Sequence, residues 1–511
     1  MRRSIVACLS AAMMVAGVGT GLTAPRFEPR AIGQHIYGGG WEHFVGGGLA
    51  AFDCNGDALP ELYAAGGENP AQLFLNTSET GGQLSFETQT PQALALTSVI
   101  GAYPLDIDSD GHLDLAILRL GENLLMQGLG DCQFAPFENL GFDGGDDWST
   151  AFSATWEDGE MLPTLAIGNY VDRDNPDGPF EACDDNVLLR PQGERYGAPL
   201  LLTPGYCALS MLFTDWGRQG RADLRISNDR HYYVRGGQEQ MWAMEPTPRL
   251  YGLEDGWQSH QLWGMGIATR DLNGDGLSEV YLTSMGDQRL QLIEPGANTP
   301  TFVDAPFNAG ATAHRPYTGG DGRPSTGWHA AFGDVQNDGF ADLFVAKGNV
   351  EQMPGSAMDD PNNLLLGQAD GLQFVEAGLE AGIASLHRSR GAVLMDLNLD
   401  GREDLAVVNR GAPIELYENV TLDTGNWLQV MLQQNNVNRF AVGAFVEVRS
   451  GERLWTQEMT VGGGHAGGTA GALHFGLGET ETVELRVHWP GGEIGGWRPL
   501  AINQRVTITR P

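Results

Sequence analysis

Asp106-Ile-Asp108-Ser-Asp110-Gly-His-Leu-Asp114, followed directly by Leu115-Ala-Ile-Leu118, is the stretch on which the reading of this chain turns. Four carboxylates fall at positions 1, 3, 5 and 9 of one short loop, and an apolar strand begins where the loop ends. The pattern returns at Asp53-Cys-Asn55-Gly-Asp57-Ala-Leu-Pro-Glu61 and Asp271-Leu-Asn273-Gly-Asp275-Gly-Leu-Ser-Glu279. It returns again at Asp334-Val-Gln336-Asn-Asp338-Gly-Phe-Ala-Asp342 and Asp396-Leu-Asn398-Leu-Asp400-Gly-Arg-Glu-Asp404. Packed this closely, such acids repel one another unless a cation lies between them. A hard cation such as Ca2+ takes six to eight oxygens at about 2.3–2.6 Å. Side chains 1, 3, 5 and 9 and the position 7 carbonyl (Leu59, His112, Leu277, Phe340 and Arg402) supply such a shell. About five Ca2+ ions are therefore expected. An EF-hand would need Glu at position 12 and flanking helices. Position 12 here is Ala64, Ile117, Leu282, Val345 or Val407, each inside an apolar strand rich in β-branched or aromatic residues. The loops therefore join β-strands.

Two weaker copies fill the gap between Asp114 and Asp271. Trp156-Glu-Asp158-Gly-Glu160-Met-Leu-Pro-Thr164 is expected to bind metal weakly or not at all. Asp215-Trp-Gly217-Arg-Gln219-Gly-Arg-Ala-Asp223 lacks ligands at positions 3 and 5 and is expected to be empty, with Arg218 and Arg221 supplying positive charge instead. Loops then start near residues 53, 106, 156, 215, 271, 334 and 396. The spacing suits a four-stranded propeller blade, and seven units close a ring. The predicted fold is all-β: a seven-bladed β-propeller over residues 25–422, then a small β-sandwich over 423–511. The sandwich strands are predicted at Trp427–Leu432, Ala444–Val448, Leu454–Val461, Ala472–Gly476, Val483–Trp489 and Arg505–Thr509. Residues 25–47 carry no loop, whereas the seventh unit stops a strand short near Val420. The N-terminal segment is expected to supply that strand and remove an exposed edge.

Apolar strand, Asp-x-Asn-x-Asp-Gly-type loop, strand, then Leu73-Phe-Leu-Asn76 or Asn362-Asn-Leu-Leu-Leu-Gly367 resembles the FG-GAP (VCBS) repeat of integrin-α-like propellers. Val442-Gly-Ala-Phe-Val-Glu-Val, Gly462-Gly-Gly-His465, Leu473-His-Phe-Gly-Leu-Gly478 and Val483-Glu-Leu-Arg-Val-His-Trp-Pro490 resemble the ASPIC/UnbV domain. That domain follows such propellers in cartilage acidic protein and its bacterial relatives. The resemblance implies a secreted calcium-binding propeller without established catalysis.

Composition narrows the partners. The 511 residues carry 65 acids against 30 Lys plus Arg, a formal charge of −35. Nucleic acid and anionic membranes both require a basic surface, so neither is an expected partner. Sixteen of the acids occupy positions 1, 3, 5 and 9 of the five complete loops. Residues 1–24, with Arg2-Arg3 ahead of an apolar run to Leu22, read as a signal peptide cleaved near Ala24. An uncleaved anchor is the alternative, and no other run could span a bilayer. A secreted, periplasmic or cell-surface location follows. Cys54, Cys132, Cys183 and Cys207 then favour two disulfides, with three connectivities open to the count alone. First and third turns of a propeller blade share a face. This lets Cys54 meet Cys132 and leaves Cys183 to pair with Cys207 across the insertion 169–206. Asn76-Thr-Ser78 and Asn419-Val-Thr421 are glycosylation sequons.

A ligand site is expected away from the calcium loops. The starts of the innermost strands, at the channel mouth opposite the loops, bring together His260, Trp263, Trp328, His329, Arg388 and Arg390, with His387 and the loop His314–Tyr317 nearby. Such residues suit an anion or glycan. The chain contains no sialidase Asp-box, Gly-x-Ser-x-Gly or His-Glu-x-x-His. The expected function is recognition or adhesion toward an extracellular or periplasmic protein or glycan, with calcium structural. The alternative is a propeller enzyme of lyase, glycosidase or oxidoreductase type acting at that mouth.

Overall fold

The structure is a computed structural model and describes residues 24–175, 182–229, 236–369 and 371–510. The signal-peptide reading of residues 1–23 lies outside the described residues. The chain is all-β. Among the described residues, seven antiparallel sheets take four strands each before residue 420. Their first strands are Leu49–Phe52, Val99–Leu105, Ser149–Thr155, Ala208–Thr214, Gly264–Arg270, Gly327–Gly333 and Arg388–Met395. Each first strand lies against the next, and the last lies against the first, so the sheets form a closed ring. These strands are nearly all buried on both faces, which is why they read as unbroken apolar and small-residue runs. The outermost strands are short, and four of them open on one buried phenylalanine (Phe86, Phe134, Phe302, Phe374) before turning polar.

The seventh sheet is completed by the other end of the chain. Phe27–Arg30 pairs antiparallel with Glu415–Asn419, Phe27 opposite Asn419 and Arg30 opposite Leu416. Phe27, 4 % exposed, takes the place of the phenylalanine that opens the other outer strands. Arg30 Nε donates to Glu418 Oε2 at 2.6 Å, and Val420 N–H donates to the Arg26 carbonyl. Both disulfides form, Cys54–Cys132 and Cys183–Cys207. The first joins a metal-type loop of one sheet to the third turn of the next. The second closes the long insertion of the third sheet.

Beyond residue 425, two sheets share one core. One holds Asn426–Gln433 between Leu473–Gly478 and Gln504–Thr509; the other runs Arg453–Glu458, Phe445–Ser450, Val483–His488, Arg498–Leu500. Leu428, Val430, Val446, Val448, Phe475, Leu485 and Ile508 fill the space between them. One expectation needs correction. The strand predicted over Leu454–Val461 ends at Glu458, and residues 460–471 leave the sandwich altogether. They run into the ring: Val461 bridges Ala154, Gly462 bridges Leu212, Gly464 bridges Ile267 and Gly467 bridges Ala102. Thr469–Ala470 then pairs with Ala51–Phe52 as a fifth strand of the first sheet. Apolar burial alone would have kept this segment in the sandwich. Its glycines allow a different path, because backbone can approach backbone closely where neither carries a Cβ. A Cβ on Gly48 or Gly101 would run into the Ala466 carbonyl. No helix among the described residues is long and apolar enough to cross a membrane.

Candidate metal centres and the filled channel

The five complete loops repeat one geometry. The position 1 carboxylate accepts the N–H of position 6: Ala58 to Asp53 Oδ2 (2.8 Å), Gly111 to Asp106 (3.1 Å), Gly276 to Asp271 (3.0 Å), Gly339 to Asp334 (2.7 Å) and Gly401 to Asp396 (2.8 Å). Position 5 accepts from position 7, as in Leu59 to Asp57, His112 to Asp110, Leu277 to Asp275, Phe340 to Asp338 and Arg402 to Asp400, at 2.7–2.9 Å. Asn55, Asp108, Asn273 and Asn398 at position 3 accept the position 5 N–H. Gln336 instead donates to Asp338. The position 9 acid is the first residue of the second strand, and it accepts the position 2 N–H in every case: Cys54 to Glu61, Ile107 to Asp114, Leu272 to Glu279, Val335 to Asp342 and Leu397 to Asp404. Each loop is thus curled by the same set of hydrogen bonds. One departure was not foreseen: the Arg402 side chain itself contacts Asp400.

The residues of the second loop fit a hard dication. Ligand oxygens of Asp106, Asp108 and Asp114 all lie within 4.8 Å of one another. That is the span expected of oxygens around one ion at about 2.4 Å. Asp106 Oδ1 and Asp275 Oδ2 are buried without a hydrogen-bond partner. Burial pushes Glu61, Asp114 and Glu279 up to about 8, and burial together with Asp110 and Asp108 pushes Asp106 up to about 7. These are sites where negative charge is costly without a counter-ion.

The degenerate units behave differently. In the fourth, Asp223 at position 9 is met by Arg221 Nε (3.0 Å), the Tyr251 hydroxyl (2.7 Å) and Trp216 Nε1 (2.9 Å). A guanidinium supplies the positive charge there, as the sequence suggested. In the third, Glu157 is taken by Arg190 and Thr164. The two sequons are structural: Asn76 Nδ2 donates to the Pro60 and Leu397 carbonyls, and Asn419 Nδ2 to those of Val335 and Glu403. Both side chains are buried and tie one sheet to the loop of its neighbour, so neither amide is presented for glycosylation.

The residues expected at an open channel mouth are placed otherwise. Trp328, His329 and Arg390 do converge, but on the chain's own His465 at the tip of the inserted segment. The Trp328 and His465 rings are 5.0 Å apart, and the Arg390 guanidinium lies 3.9 Å over the Trp328 ring. His329 Nδ1 accepts the His465 N–H at 3.0 Å. Arg390 spends its donors on the carbonyls of Phe44, Asn349 and Val350. Trp328, Arg390 and His465 are fully buried. His260 turns aside to Gln291, and Arg388 pairs with Glu351 at 2.7 Å. Trp263 lies against the apolar cluster that contains Met265 and Met285. His314 pairs with Asp287, and the Tyr317 hydroxyl is taken by the Gly310 carbonyl. The six do not form one open pocket, because a glycine-rich segment of the same chain fills the space they would line.

His465 Nε2 accepts Gly46 N–H and its Nδ1 lies 3.4 Å from the Met265 carbonyl, which fits a neutral ring protonated on Nδ1. Burial, with Arg390 close by, lowers His465 to about 3, and burial lowers His329 to about 4. Below pH 6.5 the unfolded chain takes up protons on these rings that the folded chain refuses. Stability is therefore present in full above 6.5 and is lost as the pH falls toward 4, by roughly 1.4 kcal/mol per unit for each ring. With calcium saturating, so that the loop carboxylates stay ionised, melting by circular dichroism should show a lower Tm at pH 5 than at pH 7, and His465→Gln should flatten that slope. An equally steep slope in the variant would place the titration elsewhere.

Two family models match parts of this chain. Residues 53–117 match the FG-GAP-like repeat, and residues 434–511 match the family described as ASPIC and UnbV. No curated protein matches the chain. Among solved structures, BBS1N in complex with ARL6DN is 9 % identical over 78 % of this chain and 97 % of that one, with a TM-score of 0.43. A lectin of Agrocybe aegerita that recognises non-reducing terminal N-acetylglucosamine is 14 % identical over 74 % of this chain and 94 % of its own (TM-score 0.40). The extracellular domain of BT3049 from B. thetaiotaomicron is 8 % identical over 95 % of this chain and 58 % of its own (TM-score 0.42).

Proposed function

We propose that this chain, with its FG-GAP-like repeat and ASPIC and UnbV region, is an exported calcium-binding recognition module rather than an enzyme. The reading rests on the five loops that share one hydrogen-bonded curl with acids at positions 1, 5 and 9, while two sister loops lack that set, and on the convergence of Asp106, Asp108 and Asp114 in the second. Such an ion is held from one loop and leaves little room for a substrate, so its role is to hold the ring's shape. The two disulfides suit an oxidising compartment outside the cytoplasm. Recognition of a protein or glycan would then fall to exposed loops on a rigid ring, since the channel is filled by the chain itself. Capture from the native exported fraction in calcium, with elution by EGTA, should recover a specific protein or glycan. Turnover in a broad glycoside and lyase screen, abolished by mutating residues outside the loops, would overturn the non-catalytic reading.

A further inference from the structure

We propose that residues 460–471 are a calcium-seated plug: ions in the loops hold the C-terminal sandwich on the ring, and their loss lets this segment leave the channel. The inference rests on the calcium reading above and adds to it a consequence for the channel.

The sandwich grips the ring largely through atoms whose positions the loops set. Arg505 Nη1 donates to the Ala58 carbonyl in the first loop at 2.9 Å. In the second, Arg439 Nη1 reaches the Asp110 carbonyl (3.2 Å), and Asn438 N–H reaches Ser109 Oγ (3.0 Å). At the sixth unit, Arg453 and Trp455 both donate to the Gly339 carbonyl, and His474 Nε2 meets Asn337 Oδ1 at 2.7 Å. At the seventh, Gln429 donates to Asp396 Oδ2 at 2.7 Å. Each acceptor belongs to a loop whose curl brings like charges together. Without a cation the repulsion opens the curl, and the carbonyls turn away from their donors.

A second anchor does not depend on metal. In the fourth unit Arg218 pairs with Glu447 of the sandwich at 3.0 Å. Glu458, at the root of the plug, accepts Thr214 Oγ1 (2.6 Å) and Asp215 N–H (2.9 Å). Loss of calcium therefore removes four sets of contacts and spares one, which makes the fourth unit the pivot.

The plug is built to move. It is held in the channel by backbone contacts, Gly463 N–H to Met211 O (2.7 Å), Gly464 N–H to Ile267 O (2.6 Å) and His465 N–H to His329 Nδ1, and by the buried His465 ring against Trp328. Three successive glycines and Ala466 adopt positive φ. Both of its arms border a cavity of about 320 Å³ between sandwich and ring, where Asp53, Asp106 and Asp396 of three loops also face. Close packing does not lock the root of the segment as it locks a core strand.

Amide hydrogen exchange of the full, disulfide-bonded chain tests this. In EGTA the Gly463, Gly464 and His465 amides should exchange at least tenfold faster than in saturating calcium, while Asp223–Asn228 of the fourth sheet stays protected. The triple variant Arg439→Gln/Arg453→Gln/Arg505→Gln should show the fast plug exchange even in calcium, with calcium uptake by equilibrium dialysis unchanged. Unchanged plug exchange despite measured calcium uptake overturns this inference alone. So does plug exposure that appears only together with exposure of Asp223–Asn228, or a triple variant whose plug stays protected. No calcium uptake at all overturns both this inference and the reading it rests on.

Discussion

Stripping calcium from the full chain is expected to lower its melting temperature by on the order of 15 °C. Each bound ion stabilises by mass action, about 2.7 kcal/mol at a hundredfold excess over its Kd. Five such sites on a ring of about 400 residues act against an unfolding entropy of about 2.1 cal/mol/K per residue, which gives that shift. The sign follows from the loops themselves. Glu61, Asp114 and Glu279 sit where burial favours the protonated form, so without a counter-ion each loop either holds charge in a poor solvent or takes up protons, and a bound cation removes that cost. Scanning calorimetry with calcium, with EGTA, and with EGTA followed by excess calcium would show the fall and its recovery. Magnesium should restore less, because it prefers a smaller octahedral shell and keeps its own water. A melting temperature indifferent to chelation would mean that the loop hydrogen bonds suffice on their own.

Removal of residues 25–47 should be similarly damaging, for a different reason. Their first strand closes the seventh sheet, and without it Glu415–Asn419 becomes an open edge. The same segment supplies carbonyl acceptors to two buried guanidiniums. Arg410 donates to His43 and Gly39, and Arg390 donates to Phe44. Unpaired buried donors cost about 1–3 kcal/mol each, and more when charged. Truncation should lower the Tm by 10 °C or more, or yield aggregated protein, about as expected from several such losses on one ring. A milder variant keeps the test readable: Phe27→Ala empties one outer-strand core position at a cost of about 3–5 kcal/mol, or roughly 4–6 °C. A melting curve unchanged by either alteration would contradict the closure.

The parts of the fold that the sequence disclosed are those that repeat. A loop demanding acids at 1, 3, 5 and 9 leaves a trace at every copy, and its failures at Gly217 and Gln219 can be read as easily as its successes. The closing strand was inferred from a shortage near Val420. Phe27 also echoes Phe86, Phe134, Phe302 and Phe374, which would have placed it directly. The Cys54–Cys132 pair followed from which turns share a face, and Cys183–Cys207 followed by elimination. The channel residues were recognised by type but not by what they face. Trp328, His329 and Arg390 meet His465, a partner more than 70 residues away in every case, through a segment with neither apolar period nor charge. The run Gly462-Gly-Gly-His465 stood out in the sequence, yet glycine states only that backbone must pass closely, not what it passes. Asn76 and Asn419 looked like acceptors for sugar because a sequon carries no information about burial.

The account stands on the occupancy of five loops and no others. Calcium-free protein, equilibrated by dialysis against buffered calcium and analysed for metal content, should take up five ions per chain, and Asp114→Asn should take up four. No bound calcium, or an uptake that Asp114→Asn leaves unchanged, would contradict it.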